Sequence, residues 1–164
     1  LSSAASDVYK RQGLIGSYHI IYNKYLRDRI GAKSSKSHYN EMNVLSMHAL
    51  IGAYQPEGYA WLDELREVLT GNVDYGCDFI ANHFDGVSCA KPEGTYMLFL
   101  DCSEWCQAHG VSLQELEKRG WDVGVCWQDG VMFKQPYSIR VNLALPLSRV
   151  KEAFDRLDRY VFNA

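Results

Sequence analysis

The chain has 164 residues, 47% of them hydrophobic and 13% aromatic, enough for one folded domain with a core of its own and part of another. A net charge of −3 removes the electrostatic basis for binding nucleic acid or an anionic membrane, and no apolar run approaches the roughly 20 residues that span a bilayer. Five cysteines without a regular framework, and no visible signal peptide, fit reduced thiols in a cytoplasmic protein.

The opening stretch, LSSAASDVYKRQ, lacks periodicity and apolar content and is similar to translated adapter sequence, so residues 1–12 are set aside from fold reasoning. Tyr18 to Tyr22 is β-rich and predicts a short strand. Asn23 predicts the cap of a helix that begins at Lys24 and ends at Gly31. The Ser/Lys-rich AKSSKSHYNE predicts a loop. Glu41 to Tyr54 is apolar on nearly every side and predicts a helix buried all round. A long helix is expected from about Tyr59 to Phe84, because Leu62, Leu65, Leu69, Val73, Cys77, Ile80 and Phe84 recur at spacings of three and four. Within it, Gly71 and Gly76 each cost about 1 kcal/mol relative to alanine and predict a bend or two consecutive helices.

After Gly86, GVSCAKP predicts a strand, and TYMLFLDC a second that is apolar on both faces and therefore central. SEWCQAHG predicts a short helix. Ser112 and Glu115 form a capping box opening another, which Gly120 ends. WDVGVCW predicts a strand, QDGVMF a turn or loop, and YSIRVNLAL a last strand stopped by Pro146. The final helix, about Ser148 to Val161, aligns Val150, Phe154, Leu157 and Val161 in one stripe. Residues 87–164 thus read as a small sheet with helices on one face, an α+β layer.

The last strand carries a puzzle. Ile139, Val141 and Leu143 alternate on one face, and Ser138, Arg140, Asn142 and Ala144 on the other, with no neighbouring acid to answer the arginine. A strand-held guanidinium offers two parallel N–H donors that match a carboxylate at any working pH. The alternative is a structural arginine paired with an acid of the fold such as Asp101.

In order and spacing, GLIGSYHII, MNVLSMHALIGAYQPEGYAWLDELREVL, EGTYMLFLD and YSIRVNLALP resemble the C-terminal half of the pyridoxal-phosphate (PLP) enzymes of fold type I, aminotransferase class I/II. The nearest branch is that of the cystathionine β-lyases, which are C–S lyases. The resemblance covers everything after the N-terminal tail. It implies an α/β fold in which residues 13–57 are a remnant of the large PLP-binding domain, 58–86 a long interdomain helix and 87–164 the small α+β domain. It also implies that Arg140, in the pattern aromatic-x-x-Arg-x-Asn completed by Asn142, binds the substrate α-carboxylate.

The same resemblance places the Schiff-base lysine about seven residues before Leu14, at Asp7 in this chain. Lys10 is the nearest lysine, at the wrong spacing, so no catalytic lysine is assigned. The aromatic that stacks on the cofactor ring and the aspartate that pairs with its nitrogen would lie in an N-terminal large domain upstream of residue 1. The expected object is a fragment of a homodimeric parent, with the apolar 41–54 helix leaving surface exposed.

Further residues are implied with alternatives open. Gly13, Gly16 and Ser17 pass near the cofactor phosphate or form a tight turn. Ser35, Ser37, His38 and Asn40 approach the partner subunit's active site or lie in a solvated loop. Tyr96 follows a substrate-facing turn or belongs to the core. Trp127 to Phe133 replaces a Pro-Gly of the lyase branch and suggests a reshaped side-chain pocket. Cys102, Cys106 and His109 share a helical face but are too few for a zinc site; buried thiols are expected there and no metal.

Two functions follow. The parent is a PLP enzyme acting on an amino acid, a C–S β-lyase or else an aminotransferase. Alternatively the chain is a non-catalytic α+β module binding a carboxylate or a partner.

Overall fold

The computed structural model describes residues 2–3, 19–37 and 42–163. These form two compact units that divide between Leu62 and Asp63.

In the first unit, β1 (Ser2–Ser3) pairs antiparallel with β2 (His19–Ile20), so backbone from the stretch set aside on sequence grounds joins a ladder. The helix α1 (Lys24–Ser34) starts where predicted, with Asn23 Oδ1 accepting from the Leu26 N–H at 3.1 Å. It passes the expected stop at Gly31 and takes in residues read as loop, because Ser35 stays right-handed and its N–H closes on the Gly31 carbonyl at 2.9 Å. The next helix, α2 (Val44–Ala53), is capped by Asn43, whose Oδ1 accepts from the Ser46 N–H at 2.9 Å. Burial all round is corrected: Ser46 is its buried residue, whereas Leu45 is 72% and Ile51 52% exposed. An apolar helix is covered only where a second layer meets each side.

The helix α3 (Pro56–His83) begins in the first unit and ends in the second as one uninterrupted 28-residue element, not two. Gly76 is a contact and not a break. A Cβ there would lie 2.9 Å from Leu98 Cδ1 and 3.2 Å from Leu143 Cδ1, so its absence lets the helix sit close on the sheet. Of the predicted stripe, Val73, Ile80 and Phe84 are buried and Leu62 is exposed. Asn72 is buried beside Gly76's turn, and its Nδ2 donates to the carbonyls of Leu143 and Leu145, each at 2.8 Å.

The second unit is built on an antiparallel sheet in the order β3 (Ser88–Cys89), β4 (Met97–Asp101), β6 (Ser138–Asn142), β5 (Gln128–Asp129). Leu98, Leu100, Ile139, Val141 and Leu143 form its inner face. They pack with α3 and with α6 (Leu147–Leu157), which a π-helical turn, Asp158–Phe162, extends; the predicted stripe of Val150, Phe154, Leu157 and Val161 along the two is fully buried. The strand β4 is central, but its alternation corrects the reading of two apolar faces: Leu98 and Leu100 are buried while Phe99 is exposed.

Between β4 and β5 lie α4 (Ser103–His109) and α5 (Leu113–Asp122). Ser112 Oγ accepts from the Glu115 N–H at 3.2 Å, as its spacing predicts. Gly120 does not end α5. Trp121 and Asp122 continue it, Gly124 at φ +77° turns the chain, and the Trp127 ring packs where a Gly120 Cβ would project. The expected WDVGVCW strand is therefore helix end and turn, with pairing only at Gln128–Asp129. Its hydrophobic alternation serves tertiary cover instead of a ladder. GVSCAKP likewise pairs only at Ser88–Cys89. The element order predicted for residues 87–164 is otherwise the one observed, an α+β arrangement.

Candidate functional site

The site is built on the sheet face turned away from the helices. Side chains alternate along a strand, so with Ile139 and Val141 in the core Arg140 must emerge on the opposite face. Register then fixes its neighbours: Phe99 stands directly across on β4, and Gln128 directly across on β5. Arg140 Nη1 donates to Gln128 Oε1 at 2.7 Å. A short 3₁₀ turn, Val131–Phe133, ends at Lys134 with φ +60° and brings the Phe133 ring to the guanidinium, 5.5 Å from ring centroid to Cζ. Phe99 meets the same ring edge-on, at 5.7 Å and 86°. Gln128 is held in turn, its Nε2 donating to Met132 Sδ at 2.8 Å.

This is a half-buried cation braced by a neutral acceptor and an aromatic face. Neither partner cancels its charge. Among the described residues no carboxylate pairs with Arg140. Asp101, the alternative partner, lies opposite Ser138 and accepts from the Ser103 N–H at 2.9 Å. Guanidinium donors not committed to an acid can take a carboxylate from solution in a paired geometry.

The other predicted residues divide. Asn142 shares the outer face two positions along, and its Oδ1 accepts from the Ala144 N–H at 2.8 Å, closing the strand's end. Tyr96 is half-buried just before β4, and its carbonyl accepts from the Leu143 N–H at 2.9 Å. Ser35 and Ser37 are exposed in the first unit, the latter's N–H donating to the Ser34 carbonyl at 3.0 Å. Asp7, Lys10, Gly13, Gly16, Ser17, His38 and Asn40 lie outside the described residues. Cys102 and Cys106 are buried, while His109 stacks on the Trp105 indole at 4.4 Å and has Nδ1 2.9 Å from the Trp105 carbonyl. Among the described residues no group of three metal-ligating side chains assembles. Phe99 is not among the residues the sequence points to, whereas Gln128 and Phe133 fall within the stretch from Trp127 to Phe133 expected to reshape a side-chain pocket.

No family model matches the chain. Among curated proteins it is 29% identical to the cystathionine β-lyase PatB of Bacillus subtilis over 117 residues, covering 71% of this chain and 29% of that one. It is 33% identical to protein MalY of Escherichia coli over 102 residues, covering 62% of this chain and 26% of that one. The chain thus spans less than a third of the length of these two curated relatives. Among solved structures, a PLP-bound protein of Clostridium difficile 630 designated an aminotransferase superposes with a TM-score of 0.75 at 28% identity, covering 91% of this chain and 38% of that one. The fold is that of the C-terminal part of the class I/II PLP-dependent enzymes. No helix of the described residues is long and apolar enough to cross a membrane.

Proposed function

We propose that this chain is the C-terminal part of a PLP-dependent enzyme of aminotransferase class I/II that acts on an amino acid, with Arg140 binding the substrate's α-carboxylate. The observation that carries the reading is the uncancelled guanidinium on the outer sheet face, held by Gln128 and Phe133. In this reading residues 13–57 belong to the large domain, 58–86 link the domains and 87–164 are the small domain of a cytoplasmic homodimer.

The described residues fit the substrate end of such a site but provide no cradle for the cofactor, and the stretch from Asp7 to Ser17 lies outside them. What this chain's own residues do is bind and orient. A two-point grip on the carboxylate fixes the direction of the bonds at Cα, the property that a reaction at that carbon requires.

The likeness to PatB favours C–S β-lysis, in which the Cβ–S bond breaks and one water is consumed to give pyruvate, ammonia and a thiol. Transamination to a keto acid is the alternative, favoured by the designation of the Clostridium difficile protein. The experiment is to recover the full reading frame and compare pyruvate and thiol release from cystathionine with keto-acid formation. Stoichiometric thiol and pyruvate support the lyase. Keto acid without thiol supports the transaminase. Neither product, from a protein that contains PLP, overturns both.

A further inference from the structure

Arg140 does not stand alone on its face. Phe99 and Phe133 form a T-shaped aromatic pair against it, and both rings are exposed, at 36% and 46%. Met132, next to Phe133, is 70% exposed, yet its sulfur is engaged by Gln128. An apolar platform thus borders the carboxylate grip, while Gln128 contacts both parts. Lone exposed apolar residues are ordinary; a cluster touching a single uncancelled cation is the pattern of a subsite with one polar anchor.

Resting on the reading of Arg140 given above, we infer that Phe99, Met132 and Phe133 form the substrate side-chain subsite, selecting an amino acid with a large apolar side chain, thioether or aryl, and that Gln128 is a positioning residue for Arg140. The neutrality of Gln128 is central. It accepts a hydrogen bond and so fixes the guanidinium, but leaves the charge for the substrate. The Phe133 face does the same through its ring electrons. An apolar side chain gains by covering Phe99 and Phe133, whereas a side-chain amide gives up water there without a partner.

The test uses the 164-residue chain carrying Leu45→Glu and Ile51→Lys, which make the exposed apolar face of α2 polar and keep the chain in solution. The Arg140 Nε–Hε resonance, identified by its loss in Arg140→Lys, is followed by NMR during titration with acetate, N-acetyl-L-glutamine, N-acetyl-L-methionine and N-acetyl-L-phenylalanine. All four are expected to shift it, the methionine and phenylalanine derivatives binding at least about fivefold more tightly than the glutamine derivative. Phe99→Ala removes that preference while acetate binding persists. Gln128→Glu keeps the side-chain length and the hydrogen bond but adds a charge. It is expected to weaken every ligand about tenfold at pH 7 without lowering the melting temperature. A purely structural hydrogen bond predicts no such loss. Carboxylates that bind with no preference for the apolar side chains overturn the subsite and leave Arg140's role intact. No shift with any carboxylate overturns the Arg140 reading itself. Unchanged binding in Gln128→Glu removes Gln128 from its positioning role.

Discussion

Phe99 and Arg140 face each other across the central strand pair on the side of the sheet that the core does not use. The inner neighbours, Leu98, Leu100, Ile139 and Val141, are buried against the helices. Asp101, the acid that would have made Arg140 a structural residue, is displaced by two pairs in the register and engaged with backbone. The lobe therefore presents a cation and an aromatic ring side by side on a surface its own folding does not require.

The lobe's integrity depends on Asn72. Its amide nitrogen serves two carbonyls just after β6, that of Leu143 in a buried setting and that of Leu145 in a part-buried one. Asn72→Ala removes both hydrogen bonds, although the Leu143 carbonyl keeps the Leu145 N–H at 2.8 Å, and is expected to lower the unfolding free energy by about 2 kcal/mol. Urea denaturation measures this; a loss under about 1 kcal/mol would mean that the carbonyls find other donors.

Two glycines of α3 should respond oppositely to the same change. Gly71 is exposed with open space where a Cβ would go, so Gly71→Ala is expected to stabilise by about 0.7 kcal/mol. At Gly76 the added methyl meets Leu98 and Leu143, both locked in the core, and Gly76→Ala is expected to destabilise by about 1–2 kcal/mol. Thermal melts of the two variants separate the effects, and equal shifts would contradict the close helix–sheet contact.

These glycines mark how far the sequence could be read. The stripe Val150, Phe154, Leu157, Val161 and the Asn23 and Ser112 caps are local patterns, and the folded chain keeps them. A glycine is ambiguous because one residue type serves as helix stop, weak point or close contact, and only the partner decides. Gly120 looked like a stop and accommodates the Trp127 ring. The alternation in WDVGVCW suggested a ladder, but the turn at Gly124 takes most of it out of pairing. Arg140 stood out as a cation in an apolar strand. Its pairing with Gln128 and Phe99 did not, since they meet it only through strand register, at separations no helical or local spacing rule covers.

Alkaline pH should weaken the fold through the thiol beside β4. Burial, then the neighbouring Cys77, push the Cys89 thiol up to about 12. An unfolded cysteine titrates at about 8.5. Above that value unfolding releases a proton that the folded chain retains, so stability is undiminished below pH ~8.5 and falls as pH rises from there toward about 12. Cys89→Ser lacks this group, and its urea midpoint should fall less than the wild type's between neutral pH and pH ~10. Equal declines would contradict the assignment.

The apolar exterior of α2 has a measurable consequence. With Leu45 and Ile51 largely exposed, the chain should bind the dye ANS and precipitate at moderate concentration. The pair Leu45→Glu and Ile51→Lys is expected to reduce both. A soluble, ANS-silent wild-type chain would contradict the exposure of this helix.

The most direct test concerns Arg140 in the full-length parent enzyme. If its guanidinium grips the amino acid's α-carboxylate, Arg140→Lys keeps the charge and loses the paired donors. It should raise KM for the amino acid and lower kcat/KM by about 100-fold, with PLP absorbance unchanged. Wild-type kinetics in that variant would remove Arg140 from the substrate site, and the proposed function with it.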